Sequence, residues 1–175
     1  MLNALRRSAG HRKAARELFA EIAARARAPE FFRDLGVPDT FNGRFDMVAL
    51  HAWLVLERLE AEGARAVSQA LVNAIFDGFE DALRDQGAGD MGMSRRVRKI
   101  ADAFYGRLKA YEAVAGRADL VEALLRNVYG GDETARAAAG RLASYILAAR
   151  ARLAEATPAA GQVAFGPIAC EEVRP

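Results

Sequence analysis

The chain has 175 residues, of which 52% are hydrophobic and 27% charged, and this composition excludes a disordered protein. Its formal net charge of +2 excludes binding to nucleic acid through overall charge, so any site for a polyanion must be local. The single cysteine, Cys170, excludes a disulfide framework and a thiolate metal cluster, and it indicates a reducing compartment such as the cytoplasm.

Residues 1–28 predict a basic amphipathic helix that packs on the rest of the domain. Leu18, Ile22 and Ala26 recur on one side at helical spacing, and Pro29 ends the helix. Charged residues recur from Arg6 onward, which excludes a secretory signal, and no apolar run reaches about 18 residues, so we expect no transmembrane segment. The segment has seven basic residues and two acidic ones, a balance suited to contact with an anionic surface.

Residues 29–156 predict the helical core of an all-α, single-domain bundle, which has about seven helices when the first is included. A short helix, PEFFRDL, precedes an ordered loop, GVPDTFNGRF. The helix RFDMVALHAWLVLERLEAEG follows, and it has almost no polar side before Glu57. Because such a helix is apolar on nearly every side, we expect it at the centre of the bundle.

The next two helices each carry an apolar side and a charged side. In ARAVSQALVNAIFDGFEDALRDQG, apolar residues from Val67 to Leu83 recur every four residues, while Asp77, Asp81 and Asp85 form a separate acidic row. The helix predicted from Ser94 to about Val114 places its basic residues opposite an apolar set formed by Val97, Ile100, Phe104, Leu108 and Tyr111.

The C-terminal part predicts two more helices and a tail. Asp119 is positioned to cap LVEALLRNVY, and Asp132 is positioned to cap an Ala-rich helix that reaches about Ala154. Residues 157–175 mix Pro, Gly and small residues without any period, which predicts a loosely ordered tail.

The string GAGDMG at residues 87–92 matches the G-x-G-x-x-G pattern of dinucleotide-binding loops. That fingerprint requires a buried strand before it, within a strand–helix–strand unit. Here an amphipathic helix comes before the string, and the chain lacks Gly-Lys-Ser and Gly-Lys-Thr. We therefore reject a nucleotide site and expect no cofactor.

A cluster of four cations follows this string, next to a serine that we expect to cap a helix: Ser94, Arg95, Arg96, Arg98 and Lys99. Exposed cations at a helix N-terminus oppose the helix dipole and cost about 0.3–1 kcal/mol each. The arrangement suits an acidic or phosphate partner, because the dipole, the backbone amides and the guanidinium groups present positive potential together. The alternative is a solvated surface that the aspartates of the preceding helix partly neutralise.

Signs of an enzyme or a metal centre are weak. His11 and His51 lie on different helices without a metal-ligand spacing, and His51 is more typical of a hydrogen-bonded core residue. Asp77, Glu80 and Asp81 fall on neighbouring turns, but the sequence offers them neither an apolar pocket nor a group that orients a substrate. We therefore expect a binding protein and not an enzyme, without a metal ion.

Three ordered blocks carry a resemblance to a known family. They are FFRDLGVPDTFNGRFDMVALHAWLVLERL, ALVNAIFDGFEDALRDQGAGDMGMSRRVRKIADAFYGRLKAYEAV and ALLRNVYGG. Over about residues 12–150 the chain resembles the ubiquinol-cytochrome c chaperone family, in its alphaproteobacterial form. The family blocks fall on residues 51–56, 76–84 and 89–107, and the resemblance includes neither the first 11 residues nor the tail.

The resemblance implies a non-catalytic assembly chaperone for ubiquinol-cytochrome c reductase, respiratory complex III, which binds cytochrome b or a segment of it during maturation. Mitochondrial members of the family assist newly made cytochrome b, work with a partner assembly factor and associate with the ribosome. The partners implied here are cytochrome b or other complex III assembly intermediates, met by a cytoplasmic protein at the inner face of the cytoplasmic membrane.

Two alternatives stay open from the residues alone. One is a helical protein that binds the ribosome or RNA through a local basic face, and the other is an enzyme that uses the carboxylates of Asp77, Glu80 and Asp81. For partner binding we expect contributions from the cation cluster, nearby aromatic residues, the central helix and the acidic row: Arg95, Arg96, Arg98, Lys99, Phe104, Tyr105, Arg107, His51, Trp53, Asp77 and Asp81.

Overall fold

The computed structural model describes residues 2–85 and 90–168, and within these ranges the chain forms seven α-helices, two short 3-10 helices and no β-strand. The α-helices are α1 (Leu2–Ala26), α2 (Pro29–Arg33), α3 (Phe41–Ala61), α4 (Arg65–Asp85), α5 (Asp90–Glu112), α6 (Arg117–Asn127) and α7 (Arg136–Ala154). The 3-10 helices span Glu133–Ala135 and Pro158–Ala160. The predicted all-α class is confirmed. No described helix combines the length and the apolar character that crossing a membrane requires.

Helix α3 lies at the centre of the bundle, as predicted, and packs against α1, α4, α5 and α7. Twelve of its 21 residues are buried, so nearly every side of the helix faces another part of the chain. Burial of this kind removes apolar side chains from water in all directions, and α3 therefore fixes the positions of the other helices.

The start of α3 differs from the prediction, because the helix begins at Phe41 inside the segment predicted as a loop. Thr40 Oγ1 accepts a hydrogen bond from the Gly43 N–H at 3.1 Å, which is the geometry of a helix N-cap. A Cβ atom at position 43 would lie 1.9 Å from the carbonyl oxygen of Pro38, so only glycine fits there. The predicted loop is thus wrong from Phe41 onward.

Helix α1 packs along α4 and α3. A Cβ atom at Gly78 of α4 would lie 2.4 Å from Cζ of Phe19, so this glycine lets α1 approach α4 closely. The predicted every-fourth-residue stripe of α4 is confirmed by its buried residues, which are Val67, Leu71, Ile75, Phe79 and Leu83.

Helix α5 begins at Asp90, one turn before Ser94, so the predicted N-cap at Ser94 is wrong. Gly92 in the first turn has a φ of 118°, a conformation that favours glycine. Ser94 and the cations after it lie beyond this turn, where the helix dipole acts more weakly on them. Gly87 and Gly89 of the glycine string lie outside the described residues.

Helices α6 and α7 pack against each other and complete the bundle. The N-cap of α6 is Gly116 and not Asp119, whose carboxylate accepts a hydrogen bond from the Ala115 N–H at 3.3 Å. Asp132 caps the 3-10 helix Glu133–Ala135, because its Oδ1 accepts a hydrogen bond from the Thr134 N–H at 2.9 Å. The N-cap of α7 is Ala135, so the prediction that Asp132 caps the Ala-rich helix is wrong.

The segment after α7 returns to the centre of the molecule. Its short 3-10 helix contacts α1 and α3, and Arg58 of α3 donates a hydrogen bond from Nε to the carbonyl oxygen of Ala156 at 3.0 Å. Phe165 is buried with its ring edge-on to His51, at a centroid distance of 5.0 Å. Cys170 lies outside the described residues.

Candidate functional site

Helix α5 has an exposed side that carries both cations and an aromatic ring. Arg95, Arg98 and Lys99 are exposed, and their spacing of three and four residues places them on one side of the helix. Tyr105 comes seven residues after Arg98, on the same side, and 53% of its surface is exposed. We call Arg95, Arg98, Lys99 and Tyr105 the α5 face. The opposite side of α5 is buried and apolar, and it includes Phe104, Leu108 and Tyr111.

The cations of the α5 face have no acidic partner within the described part of the chain. No aspartate of the acidic row of α4 forms an ion pair with them. Arg84 of α4 itself binds Glu80 at 3.2 Å and Asp81 at 3.1 Å, while Asp77 is exposed. The α5 face therefore has three exposed cations without an ion-pair partner among the described residues, with one exposed acid, Asp102, on the same side of the helix.

Arg96 and Arg107 lie at and beyond the edge of the α5 face. Arg96 is exposed and comes three residues before Lys99, so the two side chains are neighbours on the helix surface. Arg107 is half-buried and lies further toward the buried side of α5. The four predicted cations therefore lie side by side on the exposed surface of the helix, with Arg96 at the edge of the group.

A groove of about 510 Å³ opens beside Tyr105, between α3, α4 and α5. Its apolar lining comes from Trp53, Leu56, Val72, Tyr105 and Leu108. Its charged lining comes from Glu57, Glu60, Glu112 and Arg65. We call it the Tyr105 groove. Because carboxylates outnumber cations along it, the groove has the opposite charge to the neighbouring α5 face.

Trp53 is almost fully buried, with 2% of its surface exposed. The guanidinium of Arg150 lies over its ring at 5.5 Å, and the same arginine donates from Nε to Glu57 Oε2 at 2.7 Å. The indole Nε1 is buried and has no hydrogen-bond partner among the described residues. A buried donor without an acceptor is unfavourable, and this one has almost no surface open to the groove.

Three aromatic residues predicted to contact a partner belong to the core. Phe104 and His51 have no exposed surface, and Trp53 has almost none. Phe104 packs edge-on against Phe76 at 5.5 Å, and Phe76 in turn reaches Tyr105 at 6.0 Å. Phe104 and Trp53 support the α5 face and the Tyr105 groove from behind, whereas His51 packs against α7 and the segment after it. Of the aromatic residues predicted to contact a partner, only Tyr105 is exposed.

His51 is the centre of a buried hydrogen-bond network that joins α1, α3, α7 and the segment after α7. His51 Nδ1 lies 2.7 Å from the carbonyl oxygen of Met47, and Nε2 lies 2.9 Å from the hydroxyl of Tyr145. Arg25 donates from Nε to the same hydroxyl at 2.8 Å and from Nη2 to the carbonyl oxygen of Gly166. We call Arg25, Met47, His51, Tyr145 and Gly166 the His51 network.

The partners of His51 fix its protonation state. A carbonyl oxygen can only accept, so His51 Nδ1 carries the proton and donates it to Met47, which leaves Nε2 to accept from the hydroxyl of Tyr145. Burial lowers the pKa of His51 from 6.5 to about 4, against the opposing effect of the Met47 carbonyl. His51 is therefore neutral at physiological pH, as expected for the core histidine that the sequence indicated.

A buried ion pair joins α3 to α5. Arg107 Nε donates to Asp46 Oδ1 at 3.0 Å, and Asp46 is only 3% exposed. Burial raises the pKa of Asp46 from 3.8 to about 6, because the cost of desolvating the carboxylate outweighs the attraction of Arg107. Arg107, predicted to contact a partner, is thus committed to an interior contact. The sequence analysis missed Asp46, although an acid inside the apolar run RFDMVAL was a visible signal.

Among the described residues, no arrangement of side chains resembles a catalytic site. Asp77, Glu80 and Asp81 lie at the surface of α4, two of them paired with Arg84 and none beside a histidine or a cysteine. Within residues 2–85 and 90–168, no group of three or more His, Cys, Asp or Glu is placed to hold a metal ion. The chemistry available is charge, apolar contact and hydrogen bonding.

Comparison with known proteins finds a matching family model and a similar crystal structure. The family model described as Ubiquinol-cytochrome C chaperone matches residues 33–161. The crystal structure of the Cbp3 homolog from Brucella abortus superimposes with a TM-score of 0.83 and 32% sequence identity, over 96% of this chain and 98% of that chain.

Two curated relatives share a shorter region. Ubiquinol-cytochrome c reductase complex assembly factor 1 from Drosophila melanogaster is 29% identical over 102 residues, which are 54% of this chain and 39% of the relative. The protein of the same name from Mus musculus is 25% identical over 101 residues, 57% of this chain and 34% of the relative. The chain thus spans well under half of the length of these relatives. Since the family match extends over most of the chain, this protein belongs to the ubiquinol-cytochrome c chaperone family.

Proposed function

We propose that the protein is a non-catalytic assembly chaperone for ubiquinol-cytochrome c reductase, respiratory complex III, and that it binds cytochrome b or a segment of it during maturation. Membership of the family and the names of the relatives from fly and mouse support the assembly role. The proposal includes other complex III assembly intermediates as partners of the same surface.

We choose the α5 face as the binding surface because its positive charges have no ion-pair partner among the described residues. Arg95, Arg98 and Lys99 are exposed beside Tyr105, the one large hydrophobic residue that is exposed in the described part of the chain. Cations without internal partners remain available to an acidic segment of a client, and an adjacent aromatic ring adds apolar contact. We therefore assign client binding to the α5 face.

We further propose that the protein acts in the cytoplasm, peripherally at the inner face of the cytoplasmic membrane. A client with several apolar transmembrane helices has to be met where it enters the membrane. Lys and Arg near an anionic leaflet each contribute about 1 kcal/mol of attraction. Exposed cations occur on the α5 face and also on α1, at Arg6, Arg7, Arg12 and Lys13.

The test is charge reversal on the α5 face in a strain that lacks the gene. Complementation with Arg95→Glu/Arg98→Glu is expected to leave cytochrome b and complex III several-fold below the level restored by the wild-type gene, with another respiratory complex unchanged. Thermal unfolding of the purified variant should stay close to wild type, because exposed side chains without partners contribute less than about 0.5 kcal/mol.

A matched control carries the same change of charge elsewhere. Arg16→Glu/Arg126→Glu alters two exposed arginines that make no ion pair with any described residue, and this variant should restore complex III. Normal complex III in the deletion strain would overturn the assembly function itself. Full restoration by the Arg95→Glu/Arg98→Glu variant would overturn only the assignment of the α5 face.

A second candidate function is binding of the ribosome, through rRNA phosphates, by the same cations. Three unpaired cations within two helical turns favour this candidate, because phosphate contacts depend mainly on positive charge. Co-sedimentation with ribosomes that falls steeply with salt would support it, since phosphate contacts release counterions. Binding to apolar cytochrome b peptides that persists at high salt would favour the chaperone function.

A further inference from the structure

The Tyr105 groove has an apolar interior that is open to a partner. Trp53 and Leu108 are buried at its base, while Leu56 and Val72 are half-buried along its walls. Tyr105 stands at its edge with more than half of its surface in water. An exposed aromatic ring beside a preformed apolar cavity is the arrangement that protein interfaces use to hold an apolar anchor.

Charge on the rim of the groove is negative. Glu60 and Glu112 are exposed, line the groove and make no ion pair with any described residue. Glu57 is held by Arg150, and Arg65 is the one cation among the described residues that line the groove. An occupant with positive charge gains from Glu60 and Glu112, whereas an acidic occupant is repelled by both.

Trp53 lines the base of the groove. It is 98% buried, and its indole Nε1 has almost no accessible surface, so the N–H does not face the groove. Trp53 therefore offers an occupant apolar contact through its ring and no hydrogen bond. The choice of occupant rests on the apolar lining and on the charge of the rim.

We propose that the Tyr105 groove binds an amphipathic helical segment of a partner protein, with apolar side chains between Trp53 and Tyr105 and Lys or Arg residues next to Glu60 and Glu112. The cations of the segment interact with the two carboxylates and with the face of the Tyr105 ring. This inference goes beyond the proposed function, because it concerns a second surface of opposite charge and holds whatever client the α5 face binds.

A second cleft in the molecule differs from the Tyr105 groove in the sign of its charge. It lies between α1, α3 and α4, has a volume of about 300 Å³ and includes the side chains of Arg27, Arg44 and Asp39. Asp39 is paired with Arg44 at 2.7 Å, so it does not balance the charge of Arg27, and the cleft carries a net positive charge. A cationic segment is therefore expected to choose the Tyr105 groove.

Trp53 is the only tryptophan of the chain, so its fluorescence reports directly on occupancy of the groove. The probes are a designed helical peptide of Leu, Ala and Lys and a twin in which Glu replaces every Lys. The full chain is expected to bind the Lys peptide with a change in Trp53 emission, and to bind it roughly tenfold or more tightly than the Glu twin. The net charge of +2 opposes this preference, so non-specific attraction does not produce it.

Charge reversal at the rim then tests the site. The variant Glu60→Lys/Glu112→Lys is expected to lose the preference for the Lys peptide, and Tyr105→Ala is expected to weaken binding of that peptide. The matched control, Glu21→Lys/Glu155→Lys, changes two exposed glutamates outside the groove and should keep the preference. Circular dichroism verifies that each variant is folded.

Two outcomes would overturn the proposal. One is equal affinity of the wild-type chain for the two peptides, or no change in Trp53 emission with either. The other is the same loss of preference in the rim variant and in the control. The Arg95→Glu/Arg98→Glu variant should bind the Lys peptide at least as well as wild type, so this result is separate from the outcome of the complementation experiment.

Discussion

The His51 network and the α5 face place polar groups in opposite situations. In the network, both nitrogens of His51, the hydroxyl of Tyr145 and the guanidinium of Arg25 have partners, and the residues that hold them are buried or half-buried. On the α5 face, Arg95 and Arg98 are exposed and make no ion pair with a described residue. The first arrangement stabilises the fold, and the second leaves charge available for binding.

Burial and hydrogen bonding distinguish structural residues from candidate binding residues better than residue type does. Arg25 and Arg95 have the same side chain, but burial and hydrogen bonding commit Arg25 to the interior. Trp53 and Tyr105 both border the Tyr105 groove, but only Tyr105 is exposed. Mutations are therefore expected to divide into those that lower stability and those that lower binding.

The largest expected effect contrasts two adjacent residues of α5. Phe104→Ala should lower the free energy of unfolding by about 3–5 kcal/mol, because it removes a fully buried ring and leaves a cavity. Tyr105→Ala should lower it by less than about 1 kcal/mol, because 53% of that residue is already in water. Urea unfolding followed by circular dichroism measures both values. Similar losses for the two variants would contradict the division between the two sides of α5.

The second expected effect is on the pH dependence of stability, to which two buried groups, His51 and Asp46, contribute in opposite directions. The pKa of His51 is lowered from 6.5 to about 4, so the unfolded chain binds a proton that the folded chain does not, and stability falls as the pH drops through that range. The pKa of Asp46 is raised from 3.8 to about 6, so the folded chain keeps a proton that the unfolded chain has lost. Stability from Asp46 is therefore lost as the pH rises from about 4 to about 6.

Because the pH dependence of stability from His51 and that from Asp46 partly cancel in the wild type, removing Asp46 leaves the contribution of His51 visible. In Asp46→Asn the loss of stability between pH 7 and pH 4 should exceed that of wild type by up to about 3 kcal/mol, the equivalent of a shift of about two pKa units. Urea unfolding at a series of pH values measures it. Asp102→Asn, which changes an exposed aspartate of α5 without an ion-pair partner among the described residues, is the matched control. Parallel pH profiles for wild type and Asp46→Asn would rule out the buried, proton-binding carboxylate.

The smallest of the three effects concerns one hydroxyl group. Tyr145→Phe removes the donor to His51 Nε2 and the acceptor for Arg25 Nε, and should cost about 1–3 kcal/mol, because buried polar atoms are left without partners. Tyr105→Phe removes a hydroxyl from an exposed residue and should change stability by less than about 0.5 kcal/mol. Thermal unfolding of the two variants compares them. An unchanged midpoint for Tyr145→Phe would show that the His51 network adds little to stability.

Local periodicity in the sequence was enough to predict most of the fold. The apolar run around Leu50 and Leu54 predicted α3 at the centre, and the spacing from Val67 to Leu83 predicted the buried side of α4. Helix ends were predicted less well. Ser94 and Asp119 were reasonable caps by residue type, but caps depend on backbone geometry that composition does not determine.

The candidate site was predicted only in part. Three of the predicted cations do share one side of α5, because that follows from helical spacing alone. The sequence already placed Phe104 in the apolar set of its helix and indicated a core histidine at His51, and both are buried, as is Trp53. The sequence did not determine that they lack a surface for a partner, since an aromatic residue at helical spacing fits a core and an interface equally well. The negative rim of the Tyr105 groove was missed, because its glutamates come from two helices that are distant in sequence.

By itself, the sequence determined the number of helices, their approximate ends and which side of each is apolar, because these depend on a repeat of 3.6 residues that is local to each segment. Tertiary structure alone decided which residues meet: His51 with Tyr145, Asp46 with Arg107, and Glu57 with Arg150. These pairs are separated by 94, 61 and 93 residues. An apolar side can pack against several neighbours, and only the packed bundle determines which charges are left facing water.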